Sequence, residues 1–173
     1  MSTFLPDSIT DRFFYHLQGE FLDTASLFAL YSKTTSTHWQ QAYMFEICKV
    51  PVELVSWKTK WIQIFLDNFS CDINFLKIQS GMFYPWHKDI PRKVCVNVVL
   101  KGHDSLVIFR DSAIQTDTPY AIHELNYNSQ AVLLNINEEH CVITRQQPRV
   151  VMTLSFYDTV YKDVYDFCVK NNL

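Results

Sequence analysis

Residues 81–100 read Gly-Met-Phe-Tyr-Pro-Trp-His-Lys-Asp-Ile-Pro-Arg-Lys-Val-Cys-Val-Asn-Val-Val-Leu. Within this stretch His87 and Asp89 stand one residue apart, and a Val-rich run follows from Val94 to Leu100. On an extended backbone successive side chains point to opposite faces. A His-x-Asp pair therefore delivers an imidazole nitrogen and a carboxylate oxygen to one side, close enough to share an ion. That is half of a metal site. His140, in Asn-Ile-Asn-Glu-Glu-His-Cys-Val-Ile, offers the second imidazole, and Arg149 opens a strong strand pattern nine residues later. Two imidazoles and one carboxylate on one face of an ion leave its other face open.

The chain around this stretch has 173 residues, a length that suits one domain over 1–173 with a sizeable core. At 48% hydrophobic, 15% aromatic and 19% charged residues, the composition is that of a folded protein rather than a disordered one. A net charge of -3 gives no electrostatic footprint for nucleic acid or an anionic membrane. Five cysteines at wide intervals, without a Cys-x-x-Cys, are expected to be reduced thiols. The first residues carry neither a basic region nor an apolar run, and no stretch reaches the ~18 apolar residues of a membrane span. A cytoplasmic protein, monomeric or weakly dimeric, is expected.

The first 70 residues read as a mainly helical support layer. Asp7 or Ser8 caps a helix carrying Ile9, Phe13 and Leu17, and a second apolar patch runs from Phe21 to Tyr31. Ser32 to Thr37 is polar and reads as a loop, whereas His38 to Cys48 fits helix or strand. Trp57, Trp61, Ile64 and Phe65 share one helical face over Ser56 to Asn68, and this helix should pack its tryptophan face on a sheet.

After Ser70 the period becomes strand-like. Asp72 to Gln79, Lys93 to Leu100, Ser105 to Arg110, Tyr120 to Leu125, Gln130 to Ile136, His140 to Thr144 and Arg149 to Tyr157 all predict strands, and Asp163 to Asn171 a closing helix within a 159–173 tail. The fold class is therefore mainly β with N-terminal helices, an α+β arrangement in which helices cover one side of a barrel-like sandwich. In the last strand Val151, Thr153 and Ser155 share Arg149's side and are small, while Val150, Met152, Leu154 and Phe156 form a wholly apolar opposite face. One face lines something roomy, and the other packs on a layer such as the Trp57/Trp61 helix. A buried guanidinium needs an anion, for which a bound carboxylate is the natural two-bond partner and an internal Asp or Glu the alternative. Phe83, Tyr84 and Trp86 would rim the opening or else pack in the core, Glu138 and Glu139 form a solvated turn, and Arg92 and Lys93 face water.

Together Gly81, Tyr84, His87-Lys88-Asp89, the strand with Asn97, the distal His140 and Arg149 resemble the iron(II)/2-oxoglutarate-dependent oxygenases. Gly-x-x-Tyr-x-x-His-x-Asp is similar to the prolyl hydroxylases, and the strand after it to the aspartyl/asparaginyl β-hydroxylases. The resemblance implies a double-stranded β-helix, a jelly-roll or cupin-like barrel, over residues 71–158. It implies Fe(II) on His87, Asp89 and His140, with Arg149 on the distal carboxylate of 2-oxoglutarate and Asn97 near its metal-side carboxylate. The family's frequent Arg-x-Ser pair is here Arg149-Val150-Val151, so Ser155 or Thr153 would supply the hydroxyl. The activity implied is hydroxylation with O2, releasing succinate and CO2, possible support by ascorbate, and a substrate that is an amino-acid residue (Pro, Asp or Asn), free or in a protein. The compact length also resembles oxygenase-like chains of bacteriophages, which act in the host cytoplasm. A cupin-like isomerase or small-ligand binder is the competing class, and a fold that has lost turnover is another.

Overall fold

The computed structural model describes residues 10–18, 24–34, 38–55, 60–111, 122–125 and 131–173. Along the chain lie β1 (Phe14–His16), α1 (Thr24–Ser32), β2 (Gln40–Ala42), β3 (Phe45–Lys49), α2 (Lys60–Asn68), β4 (Cys71–Ile78), β5 (Phe83–His87) and β6 (Val94–Lys101). They continue as β7 (Leu106–Arg110), β8 (Ile122–Leu125), β9 (Val132–Asn135), β10 (His140–Ile143), β11 (Arg149–Phe156) and α3 (Tyr161–Lys170). All described pairings are antiparallel. They build a larger sheet in the order β1-β9-β6-β11-β4-β3-β2 and a smaller one in the order β5-β10-β7-β8. The two sheets face one another as a double-stranded β-helix, the barrel expected from the alternation after Ser70.

Strand parity sorts the core into two layers. Val150, Met152, Leu154 and Phe156 of β11 join Val94, Val96 and Val98 of β6 and Ile73 and Phe75 of β4 in a cluster that α2 and α3 cover. The opposite faces send Cys95, Val99, Val132, Leu134 and Val151 between the sheets, where they meet Phe13, Phe14, Val107, Phe109 and Leu125. A period of two over an eight-residue strand thus commits each side chain of β11 to one layer. α2 buries Trp61, Ile62 and Phe65, whereas Ile64 is only half-buried, so its inward face is rotated from the one expected. Trp57 lies outside the described residues. α3 buries Tyr161, Val164, Tyr165 and Cys168, a spacing of three and four that forms one helical face.

The first 70 residues differ from the helical layer expected of them. Phe13 and Leu17 are not on a helix. Thr10–Arg12 form a single 3-10 turn, and β1 then pairs with β9 through Phe14↔Leu134, Tyr15↔Leu133 and His16↔Val132. The backbone N–H of Asn135 donates to Phe13 O at 2.8 Å, and Leu17 N–H to Ala131 O at 2.9 Å. An edge of β9 that needs backbone partners outweighs an apolar spacing that fits a helix equally well. Ile9, Phe21, Tyr120 and Gln130, all included in expected elements, lie outside the described residues. The ambiguous stretch from His38 to Cys48 is the hairpin of β2 and β3, with Tyr43 in its turn at φ 48.

Candidate metal centre and cavity

β10 lies between β5 and β7, and its register brings His140 opposite His87 on one side and Phe109 on the other. On the β5 side the next pairing is Val142↔Tyr84, so two steps along β10 span three along β5. The extra residue is a bulge. Strict alternation would put Tyr84 and His87 on opposite faces, yet the bulge lets both line one cavity. Pro85 sits in this interval on an edge strand, where the absence of its N–H removes no ladder bond. Its carbonyl accepts from His87 Nδ1 at 2.7 Å, and the carbonyl of Glu138 accepts from His140 Nδ1 at 3.0 Å. With Nδ1 committed to a carbonyl, each ring has Nε2 left for a further partner.

Beyond β5 the chain turns through residues 88–93. The N–H of Asp89 donates to Ile136 O at 3.0 Å, which pins the turn to the end of β9. Asp89 Oδ1 stands 3.2 Å from His87 Nε2, and one donor atom from each of His87, Asp89 and His140 lies within 4.8 Å of the others. The imidazole centroids of His87 and His140 are 4.2 Å apart, and Tyr84 meets His87 edge-on at 4.3 Å. Burial pushes the Asp89 carboxyl up, but the hydrogen bond from His87 and the charge of Arg92 outweigh it and leave it at about 2. Burial, aided by the neighbouring His87, lowers His140 to about 4. At neutral pH the cluster is an ionised carboxylate with a neutral His140, the donor set a divalent transition metal takes.

The cavity has a volume of about 390 Å³ and reaches from Tyr84, Lys88 and Ile90 down to Arg149. Arg149 is 3% exposed and its Nη1 donates to Ser105 Oγ at 2.7 Å. Ser105, 2% exposed just before β7, is a hydroxyl beside Arg149 that the sequence reading, which looked to Ser155 or Thr153, did not name. Ser155 is buried near the other end of β11, where it accepts from Arg92 Nη1 at 2.9 Å, and it is not among the cavity-lining residues. Asn97 lines the cavity at 8% exposure, and its buried Oδ1 has no hydrogen-bond partner among the described residues. A buried carboxamide oxygen without a partner is an acceptor still to be satisfied.

Several expected surroundings are rearranged. Of the aromatic rim only Tyr84 lines the cavity; Phe83 is 51% exposed, and Trp86 lies under the Arg110 guanidinium at 5.1 Å. Glu138 and Glu139 do not form a free solvated turn, since they receive Arg12 and Arg110. Arg92 faces Asp89 rather than water, its Nη2 2.8 Å from Oδ2. Its place three residues after the carboxylate was the available signal, whereas nothing near Ser105 in the chain marked it. Arg145, the other arginine near the end of β10, is exposed.

No protein-family model matches the sequence, and no curated protein does. Solved structures match in shape. A prolyl-4-hydroxylase from Pseudomonas putida superposes with a TM-score of 0.61 at 17% identity, covering 84% of this chain and 92% of its own. HygX from Streptomyces hygroscopicus, solved with nickel, 2-oxoglutarate and hygromycin B bound, gives 0.59 at 10% identity over 87% and 85%. The viral collagen prolyl hydroxylase of Paramecium bursaria Chlorella virus-1, solved with 2-oxoglutarate, gives 0.54 at 11% over 88% and 99%. The chain has the fold of the iron(II)/2-oxoglutarate oxygenases. An oxygenase-like barrel explains why the His-x-Asp turn, β10 and the first residue of β11 meet at one cavity. At such identities the likeness extends to the fold, and the chemistry rests on the residues of the cavity itself.

Proposed function

We propose that this chain is a non-haem iron(II)- and 2-oxoglutarate-dependent oxygenase that hydroxylates an amino-acid residue (Pro, Asp or Asn), free or in a protein. What carries the reading is one cavity holding both the His87–Asp89–His140 cluster and the buried Arg149. His87, Asp89 and His140 would hold the ion, leaving positions for a two-point chelate and a third ligand. Iron bound there supplies the oxygen chemistry that couples decarboxylation of 2-oxoglutarate, to succinate and CO2, with oxidation of a substrate C–H bond.

The protein's own contribution is placement. The carbonyls of Pro85 and Glu138 hold the two Nδ1–H groups and so aim both Nε2 atoms inward. Asp89 stays ionised and offsets one charge of the ion. Arg149, hydrogen-bonded to Ser105, offers a guanidinium fork to the far carboxylate of the keto acid, and Asn97 a carboxamide near its metal-side carboxylate. Leu76, Ile78, Val107 and Leu134 line the same cavity and keep its wall apolar, which excludes water from a reactive site. Tyr84 lines the same cavity edge-on to His87 and would shape the substrate's approach to the ion. Five free cysteines accord with action in a reducing cytoplasm, and no described helix is long and apolar enough to cross a membrane.

Calorimetry with Mn(II) and 2-oxoglutarate, followed by succinate formation under air with Fe(II) and ascorbate, tests the reading. Arg149→Ala should abolish 2-oxoglutarate binding while Mn(II) binding persists. A cupin-like metal protein would bind metal alike in both and 2-oxoglutarate in neither, and that result would overturn the proposal.

A further inference from the structure

The two oxygens of Asp89 point at different groups. Oδ1 faces the imidazoles, 3.2 Å from His87 Nε2, and Oδ2 receives Arg92 Nη2 at 2.8 Å. Arg92 is itself tied at its other nitrogen, Nη1, to Ser155 Oγ at 2.9 Å, and Ser155 is 1% exposed. β11 holds Ser155 opposite Cys95 of β6 and Asp72 of β4, so the tether ends in the middle of the larger sheet. A planar guanidinium with both ends engaged has little freedom to turn away.

We propose that Arg92 is a positioning residue that occupies Oδ2 of Asp89 and so restricts this carboxylate to one-oxygen ligation of the metal. The consequence concerns coordination count, and it rests on the oxygenase reading above. Two Nε2 atoms and one carboxylate oxygen take three of six octahedral positions and leave three. A carboxylate ligating through both oxygens leaves two, which the keto acid would fill completely. Arg92 therefore keeps the third position open once 2-oxoglutarate is bound.

Water proton relaxation in the Mn(II)-loaded full-length protein counts exchangeable waters on the ion and needs no turnover. In the wild type, three waters should fall to one on adding 2-oxoglutarate, leaving about one third of the inner-sphere signal, as six-position counting requires. In Arg92→Met, and in Arg92→Gln should the first variant not fold, two should fall to none and the residual signal should vanish. Arg92→Lys keeps a donor for Oδ2 and should restore the residual water. If the neutral variants keep the wild-type signal with 2-oxoglutarate bound, Arg92 does not set the ligation of Asp89 and the inference is wrong. A wild type that binds no Mn(II), or whose signal ignores 2-oxoglutarate, would instead refute the oxygenase reading.

Discussion

Gly102 and Arg149 touch through their backbones. A Cβ built on Gly102 would lie 2.7 Å from Pro148 O and 2.9 Å from Arg149 Cα, and the residue's φ of +76° is in the left-handed region. Gly81 shares the left-handed backbone, at φ +69°, but a Cβ there meets nothing within 4 Å. The pair separates strain from displacement. Gly81→Ala should cost about 1–2 kcal/mol in urea unfolding, the ordinary left-handed penalty, and leave 2-oxoglutarate affinity unchanged. Gly102→Ala adds a backbone clash that only movement of Pro148 and Arg149 can relieve. It should cost more than Gly81→Ala and weaken 2-oxoglutarate binding measured by calorimetry. Equal effects of the two substitutions would show that Arg149 is not placed by this contact. The thiols have a different fate. Burial pushes Cys95 and Cys141 up to about 11 and Cys168 to about 12, so they pack as small apolar side chains.

At the scale of elements, α2 and β5 show how a layer and an edge divide the work. Phe65 of α2 is fully buried against Trp61, Phe69, Phe156 and Phe167, with ring centroids 5.7 to 6.3 Å away. Phe65→Ala should destabilise the protein by about 3–5 kcal/mol, the range for truncating a buried aromatic. Its layer lies on the face of the larger sheet away from the cavity, so the folded variant should bind 2-oxoglutarate as the wild type does. A changed affinity without lost stability would contradict that separation. β5 is the opposite case: an edge strand with two exposed residues, Phe83 and Pro85, whose bulge exists to turn Tyr84 and His87 to one side. The helix expected over Ile9 to Leu17 failed at this scale, because backbone pairing with β9 is invisible in a spacing of apolar residues. By contrast, alternation over all of β11 left little choice of face, and its two layers were legible in advance.

Across the whole molecule, the proposed ligands come from two parts of the chain: His87 and Asp89 from the end of β5 and the turn that follows it, and His140 from β10 far downstream. An ion bound to all three links those segments only in the folded state, so metal binding must stabilise folding. At Mn(II) one hundred times above its dissociation constant, linkage contributes about 2.7 kcal/mol. For a chain of this size that is a rise of roughly 5–10 °C in Tm by thermal denaturation. His140→Ala should remove the rise, and an unchanged Tm in the wild type would mean that the cluster does not bind the ion.

His-x-Asp parity, a distal His140 and the small face of Arg149 are local facts, and by itself the sequence determined most of the strands after Ser70, the bulged edge β5 excepted, and the two faces of β11. Periodicity records which side of an element is wanted inside. It carries no information on what stands across the gap. Only the tertiary structure decided that Arg149 meets Ser105, that Arg92 turns to Asp89 and Ser155 rather than to water, and that residues 14–16 extend the larger sheet. Each of these is a contact between residues far apart in the chain or around a tight turn, set by strand register and by the need of buried polar groups for partners.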